Sequence, residues 1–589
     1  MKTVEKIEKL RKLMKDKGLD AYFISDDDKH SSEYVNDYFK ERSYMTSFEG
    51  SNGDALIMMD KAYLWTDGRY FLQAEKDLKN TGISLMKMGT PGYPTITEYI
   101  EENLKGKRIG LNGEYLPYSF VSKLREHVEV VSNIDLIDEI WTDKAPLKTE
   151  KIWALPLSLS GESTSSKLER VREKIKEDGA SLFLSNIDDI AWLYNLRGGD
   201  VPITPVFLSF TYIDDKNAYV FLNKDALLKD AKEALKDANV TICDYNDVTK
   251  FLKNLDGRKI LLSKRGTNYS FVKQIEENNE VIDKVSPTVL MKAIKNDVEI
   301  KNLIDIHKAD GLAVFRYMKY VKENYGKIDM DEYSLAEKVL EFRKRDKRFY
   351  EVSFESISSW NENGAIIHYE PTKESSKKVE GSGFLLLDSG GQYMGGTTDI
   401  TRTYSLGNVT DEMKHHYTMV LRSHIDVSMC KFIKGANGVN IDMLAREPFW
   451  AEGLDYKHGT GHGVGYMLNV HESPNGFRWQ KVPERSDSAT IIPGMVTTIE
   501  PGIYLEGKYG IRTENELLCV EGAKVDLDEF YEFRTVTFAP YDLDPLNVDE
   551  LTQHERQWLN DYHKMVFEEL SKICDESEIE YLRYVTREV

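Results

Sequence analysis

The sequence predicts a multidomain chain of α/β and α+β type: two related α/β domains, then a larger mixed domain that carries the chemistry. Three observations predict it. KIEKLRKLMKDKGLDAYFISDDD, at Lys6 to Asp28, is echoed by KLERVREKIKEDGASLFLSNIDD at Lys167 to Asp189, and each reads as helix, glycine turn, buried strand, serine and acidic turn. Short polar stretches without apolar periodicity fall at Thr142 to Glu150 and near Ser286 and Pro287, where domain boundaries are expected. From Leu290 the pattern turns strongly helical, as in EIKNLIDIHKADGLAVFRYMKYVKENY, before a series of glycine-rich and β-rich runs begins.

The elements follow in order. Val4, Ile7, Leu10 and Met14 recur at helical spacing between charges, which makes the opening segment an amphipathic helix lying on its own domain. It lacks the continuous apolar core of a signal peptide, and nowhere does the chain offer the 18 or so uncharged apolar residues of a spanning helix. Strands are expected in ALIMMDKAYLWTDG after the first copy of the repeat and in VFLSFTYIDDKNAYVFL after the second. Residues 1–145 and 146–288 are the two α/β domains, residues 289–525 the mixed domain, and residues 526–589 an extension. That extension reads as a strand, a proline-containing turn and an amphipathic helix with Leu551, Trp558, Leu559, Tyr562 and Val566 on one face.

The chain has 589 residues, enough for roughly three to five domains. Ninety-nine acidic against seventy-eight basic side chains give a net charge of −21, which argues against a nucleic-acid or anionic-membrane partner. Cys243, Cys430, Cys519 and Cys574 are scattered without metal-binding spacing, as expected of reduced thiols in a cytoplasmic protein.

The chemistry concentrates in the third domain. In LLLDSGGQYMGGTTDITRT, Leu385 to Thr403, an apolar run ending in Asp388 and a Thr-rich run through Asp399 flank a turn carrying Gly390, Gly391, Gly395 and Gly396. That pattern predicts a β-hairpin holding two carboxylates side by side. Half-buried carboxylates repel one another and resist desolvation unless a cation joins them, so the pair points to metal. HGTGHGVGYMLNVHE adds His458, His462 and His471, and β-rich runs then supply Glu500 and Glu514. Four carboxylates and one imidazole form an oxygen-dominated set for two divalent cations, suited to Mn²⁺, Co²⁺ or Zn²⁺ and unlike a thiolate-bound structural zinc.

These residues carry a family resemblance. The order Asp388, Asp399, His462, Glu500, Glu514, with the aspartates eleven positions apart and the glutamates fourteen, resembles the metallopeptidases of the methionine aminopeptidase, prolidase and aminopeptidase P group. NGAIIHYEP at Asn363 to Pro371, HGTGHGVG at His458 to Gly465 and YGIRTEN at Tyr509 to Asn515 are most similar to the long, three-domain aminopeptidase P branch. WTDGRYFLQAE at Trp65 to Glu75 and IAWLYNLRGGDV at Ile190 to Val201 extend the resemblance over nearly the whole chain.

The resemblance implies creatinase-like folds for the two N-terminal domains and a pita-bread fold for the catalytic one. It implies that Asp388 binds one metal, that His462 and Glu500 bind the other, and that Asp399 and Glu514 bridge both, with Mn²⁺ preferred and Zn²⁺ or Co²⁺ as alternatives. His471 then meets the scissile carbonyl, His458 borders the proline pocket and His368 contacts substrate. Arg512 is expected on the same strand as Glu514 and facing the same way, either contacting substrate or holding a ligand carboxylate. Such a metal pair activates water directly, so no side-chain nucleophile is needed, and Glu500 is expected to move the proton to the leaving nitrogen.

The expected activity is release of the N-terminal residue from peptides with proline second, by a cytoplasmic homodimer. Two departures from the branch, Ile499 in place of an acid and HESPNGFRW in place of the commoner HEGP run, bear on the substrate pocket and not on the ligands. A prolidase would use the same ligands on Xaa-Pro dipeptides, but the three-domain length and the extension argue against it. A metal-free creatinase-like hydrolase and a catalytically silent binding module are both disfavoured by the complete ligand set.

Overall fold

The computed structural model describes residues 1–481 and 488–589, which divide into two compact units: Met1–Leu157 with Glu162–Val289, and Ser158–Gly161 with Leu290–Val589.

The first unit holds both copies of the repeat, and they share one topology. In the first copy the sheet runs in the order Ser84–Lys87, Ala62–Thr66, Asp54–Met58, Ala21–Ile24, Arg108–Gly110, Glu129–Val131. The second runs Val240–Asp244, Ala218–Leu222, Ser209–Ile213, Ser181–Leu184, Lys259–Leu262, Glu280–Asp283, with the same succession of parallel and antiparallel pairs. Helix Thr3–Asp16 buries Ile7, Leu10 and Met14 as its periodicity requires, while Val4 stays exposed at the first turn.

The sequence YSFV occurs in both copies, at Tyr118 and at Tyr269, and opens a helix each time. The two helices meet. The amide of Tyr118 donates to Thr267 at 3.0 Å, the amide of Tyr269 donates to Leu116 at 2.8 Å, and the two tyrosine rings stack 5.6 Å apart. Equivalent residues of the repeat therefore satisfy one another's backbone groups.

The second unit is built on antiparallel sheets flanked by helices, among them the 28-residue helix Asp297–Asn324 and the helix Asp411–Ser428. One sheet has Gly383–Ser389 between Ile357–Trp360 and Ile400–Leu406. Both faces of Gly383–Ser389 are buried, which accounts for its unbroken apolar run Phe384 to Leu387. A second sheet of six antiparallel strands contains Gly461–Gly463, Val496–Ile499 and Asn515–Val525.

Two local readings of the sequence are refined here. The glycine-rich link between Asp388 and Asp399 is more than a turn: Gly391–Tyr393 pairs with Gly396–Thr397 on one side and Phe349–Val352 on the other, forming a separate three-stranded sheet. Arg512 does not share a strand with Glu514. Arg512 ends a hairpin formed by Gly502–Leu505 and Tyr509–Arg512, the chain leaves that hairpin at Thr513, and the next strand begins at Asn515.

The C-terminal segment packs helix Gln553–Leu570 through Leu559, Tyr562 and Val566, and ends in a further helix, Glu576–Val585, that the sequence reading did not separate. Arg402 joins it to the sheets. Its buried guanidinium donates to the carbonyls of Glu514 (2.6 Å), Ala539 (2.7 Å) and Pro540 (3.1 Å), to the Asn515 amide oxygen (2.8 Å) and to the Tyr562 hydroxyl (3.1 Å). Arg402→Met would strand several buried acceptors, each costing about 1–3 kcal/mol. The expected outcome is a lowered unfolding midpoint with faster amide exchange in Ala539 to Tyr562, read by calorimetry and exchange mass spectrometry; unchanged values for both would contradict it.

Candidate metal centre

The five residues expected as ligands converge from five separate strands. Asp388 lies in Gly383–Ser389 opposite Thr401, and Asp399 immediately precedes Ile400–Leu406, so the ladder between these strands sets the two carboxylates close. Ile499 pairs with Asn515, which brings Glu500 and Glu514, each one residue outside its strand, to the same end of the sheet. His462 sits in Gly461–Gly463, where the Thr498 hydroxyl accepts from its amide at 3.1 Å.

The side chains meet. His462 Nε2 lies 3.4 Å from Asp399 Oδ2 and 3.6 Å from Glu500 Oε1. Asp399, His462 and Glu514 each present a ligand atom within 4.8 Å of the others. Asp388 Oδ1, Asp399 Oδ1 and Glu514 Oε1 are buried with no hydrogen-bond partner. Burying an acceptor without a donor is costly, and here three such oxygens belong to carboxylates in one place. Cations fit that donor set and satisfy it.

The electrostatics point the same way. Burial, followed by the charges of Asp388, Glu500 and Glu516, holds the Asp399 carboxyl well above the usual range. Burial and the charges of Asp399, Glu500 and Asp388 do the same to Glu514. Glu500 is also raised by burial, against the opposing pull of His462 and Arg512. The second oxygens of Glu514 and Asp388 are held by the protein: Thr401 Oγ1 donates to Glu514 Oε2 at 2.6 Å, and Arg512 reaches Asp388 Oδ2 through Nη2 at 2.5 Å and Nε at 3.2 Å.

Arg512 is thus a clamp on Asp388. Its Nη1 donates to the Tyr504 hydroxyl at 2.8 Å, and that hydroxyl also meets His458 Nε2 at 2.8 Å. His458 Nδ1 lies 2.7 Å from the Gly459 carbonyl, so both ring nitrogens are engaged within the protein and the imidazole offers surroundings its faces only. Burial and the nearby Arg512 charge push its pKa down to about 3, so the ring is neutral. The ring of His471 stands edge-on to that of His462 with centroids 4.3 Å apart. His368 is half-buried in the loop after Asn361–Ala365, next to Ile367, whose carbonyl accepts from Arg512 Nη2 at 3.5 Å. That loop lies on the Arg512 strand by backbone alone: a Cβ on Gly510 would fall 1.8 Å from the Gly364 carbonyl oxygen.

Several supporting residues escaped the sequence reading. Glu516 accepts from the Asp399 amide at 2.9 Å and lies 3.1 Å from His307 Nε2, both fully buried. Glu472, beside His471, is buried against Lys295, with Lys292 at 3.4 Å. Tyr504 is close to Glu500 in sequence, and its link to His458 and Arg512 appears only in three dimensions. The available signal for Glu516 was its place two residues after Glu514 at the start of a β-rich run, since alternate residues of extended chain face the same way.

Comparison with known proteins agrees with this geometry. The model of metallopeptidase family M24 matches residues 301–521, and the creatinase/prolidase N-terminal domain matches twice, at residues 6–142 and 143–299. The C-terminal region of peptidase M24 matches residues 529–589. Xaa-Pro aminopeptidase 1 of Dictyostelium discoideum is 35% identical over 97% of this chain and 94% of its own. The chain belongs to metallopeptidase family M24. A probable Xaa-Pro aminopeptidase P of Coprinopsis cinerea is 36% identical over 99% of this chain and 98% of its own. Among solved structures, the X-prolyl aminopeptidase from Caenorhabditis elegans, described as a cytosolic enzyme with a di-nuclear active site, superposes with a TM-score of 0.95 at 31% identity, covering 100% of both chains. The predicted fold class holds: two creatinase-like N-terminal domains and an M24 catalytic domain.

The crowding of acids has a measurable consequence in metal-free protein. Because the folded pKa values of Asp399, Glu514 and Glu500 are raised, their contribution to stability is complete below the ordinary carboxylate range of about 4 and is lost as pH rises through the folded values. Chelated protein is therefore expected to unfold at lower temperature as pH rises above about 4, and a divalent ion should reverse the loss. Asp399→Asn should flatten that pH dependence and abolish the gain from added ion. Thermal unfolding against pH, with and without Mn²⁺, checks this; a pH-independent midpoint in the chelated parent protein would refute it.

Proposed function

We propose that this protein is a dinuclear metal-dependent aminopeptidase that releases the N-terminal residue from peptides whose second residue is proline. The observation that carries the proposal is the cluster of three buried, unpartnered carboxylate oxygens on Asp388, Asp399 and Glu514 beside His462 and Glu500, in a chain similar over its full length to Xaa-Pro aminopeptidases. Asp388 would hold one metal, His462 and Glu500 the other, and Asp399 and Glu514 both. Mn²⁺ is the ion we favour, since the hard oxygen-rich set with a single imidazole suits it.

When bound, two such ions supply water activation and carbonyl polarisation. The residues of the chain do the rest. Glu500, with its raised pKa, takes a proton from the attacking water and returns it to the leaving nitrogen. His471, beside His462, donates to the oxygen on which negative charge develops, and His368 approaches the same region from the loop above Arg512. Arg512 acts as the holder of Asp388, because its guanidinium is fully engaged with Asp388, Tyr504, Thr401 and the Ile367 carbonyl. His458, neutral and tied through both nitrogens, serves as a wall of the proline site. Proline has no N–H and a fixed φ, so a site that reads the ring is needed where ordinary backbone readout fails.

The same reading includes a cytoplasmic homodimer. The half-exposed rings of Trp450 and Trp479, edge-to-face at 6.2 Å with Met443 and Leu444 exposed nearby in sequence, give an apolar surface suited to a second copy. No helix among the described residues is long and apolar enough to cross a membrane.

The deciding comparison is an Xaa-Pro dipeptide against Xaa-Pro-Ala with Mn²⁺ present. The longer peptide should be cut between its first two residues, N-acetylation should block cleavage, and alanine in place of proline should sharply reduce kcat/KM. Preference for the dipeptide would make the enzyme a prolidase. Chelation should abolish activity, and Glu514→Ala should lose more activity than His458→Ala, because it removes a charge shared by both ions while His458 touches neither. Equal losses would contradict the assigned roles.

A further inference from the structure

Helix Glu332–Arg343 contributes no metal ligand, yet its first residue is bound to the segment that carries His368. Glu332 is fully buried. Its Oε1 accepts from the Trp360 amide at 2.7 Å and from Asn363 Nδ2 at 2.9 Å. Its Oε2 accepts from the Tyr369 hydroxyl at 2.7 Å, the Lys377 amide at 2.8 Å and Asn363 Nδ2 at 3.0 Å. The amide of Glu332 in turn donates to the Lys377 carbonyl at 3.0 Å, and Ser376 Oγ donates to Asp331 at 2.8 Å.

The arrangement is specific to a carboxylate. All four partner groups are donors, and two are backbone N–H groups that cannot reverse their polarity. They fall at both ends of the segment, Trp360 and Lys377, and on both sides of His368, Asn363 and Tyr369. The opposite side of the segment rests on the Gly510 backbone and on Arg512, the clamp of Asp388. His368 is therefore held between a buried carboxylate and the metal centre.

We propose that Glu332 is a positioning residue for peptide hydrolysis: by gathering the 360–377 segment on one carboxylate it sets where His368 stands against Asp388 and Arg512. The inference rests on the role given above to His368. A glutamine at 332 keeps the shape but turns an amide NH₂ towards fixed donors, so at least one end of the segment is released. Displacing a substrate-contacting group by about 1 Å costs up to about a hundredfold in rate.

The test uses full-length, Mn²⁺-loaded enzyme carrying Glu332→Gln, Tyr369→Phe or His368→Ala, with Xaa-Pro-Ala as substrate. Glu332→Gln should lower kcat on the order of ten- to a hundredfold with a smaller change in KM, retain the parent metal content, and accelerate amide exchange within residues 361–377 alone. Tyr369→Phe, which deletes one of the four donors, should move kcat and exchange in the same direction by less. Parent-like exchange in Glu332→Gln, or loss of metal and global protection in both Glu332→Gln and Tyr369→Phe, would overturn the proposal. Full activity in His368→Ala overturns the role of His368 and the proposal with it. Full activity in Glu332→Gln beside an impaired His368→Ala overturns the proposal alone.

Discussion

Mutual repulsion among buried carboxylates is the constraint around which the second unit is organised. Asp399, Glu500 and Glu514 crowd together beside Asp388, and burial and their neighbours' charges raise the cost of ionising all three. A fold tolerates such a group only if its backbone is over-determined. Here each acid sits at or beside the end of a strand paired in register with its neighbours, and none depends on a long free loop.

Around the acids, the protein neutralises what the metals do not. Arg512 takes one oxygen of Asp388, Thr401 takes one of Glu514, and Glu516 receives the Asp399 amide while facing His307. Asp388 and Glu514 each keep the other oxygen bare, as Asp399 does its Oδ1. That division fixes the direction in which the Asp388 and Glu514 carboxylates point. Arg402 extends the same order outward, since its contacts run from the Glu514 carbonyl to the C-terminal segment. The extension is therefore continuous with the scaffold of the site.

The four acids and the histidine that the structure brings together stand out in the sequence as candidate ligands because each lies in a local pattern, an apolar run stopped by an acid or a histidine among glycines, and because their order along the chain is distinctive. The duplicated α/β topology was legible for a similar reason: helix, turn and strand recur at matching positions. What stayed hidden is non-local. Glu332 follows an aspartate N-cap in DEYSLAEK and reads as an ordinary first-turn acid favoured by the helix dipole. Its four partners lie 28 to 45 positions downstream. Tyr504 and Arg402 look equally bland, and the placement of Arg512 followed the wrong strand because the break at Thr513 has no proline or glycine to announce it.

The Gly364–Gly510 contact carries a further meaning. Between the His368 segment and the Arg512 strand the separation is one backbone thickness, with no side chain in between. Elsewhere in a protein, the gap between two packed segments is adjustable, because exchanging alanine for valine or leucine moves one relative to the other in small steps. At this junction no such series exists. The spacing is pinned at its minimum, so the distance of the His368 segment from the Arg512 strand is not open to gradual tuning by side-chain exchange.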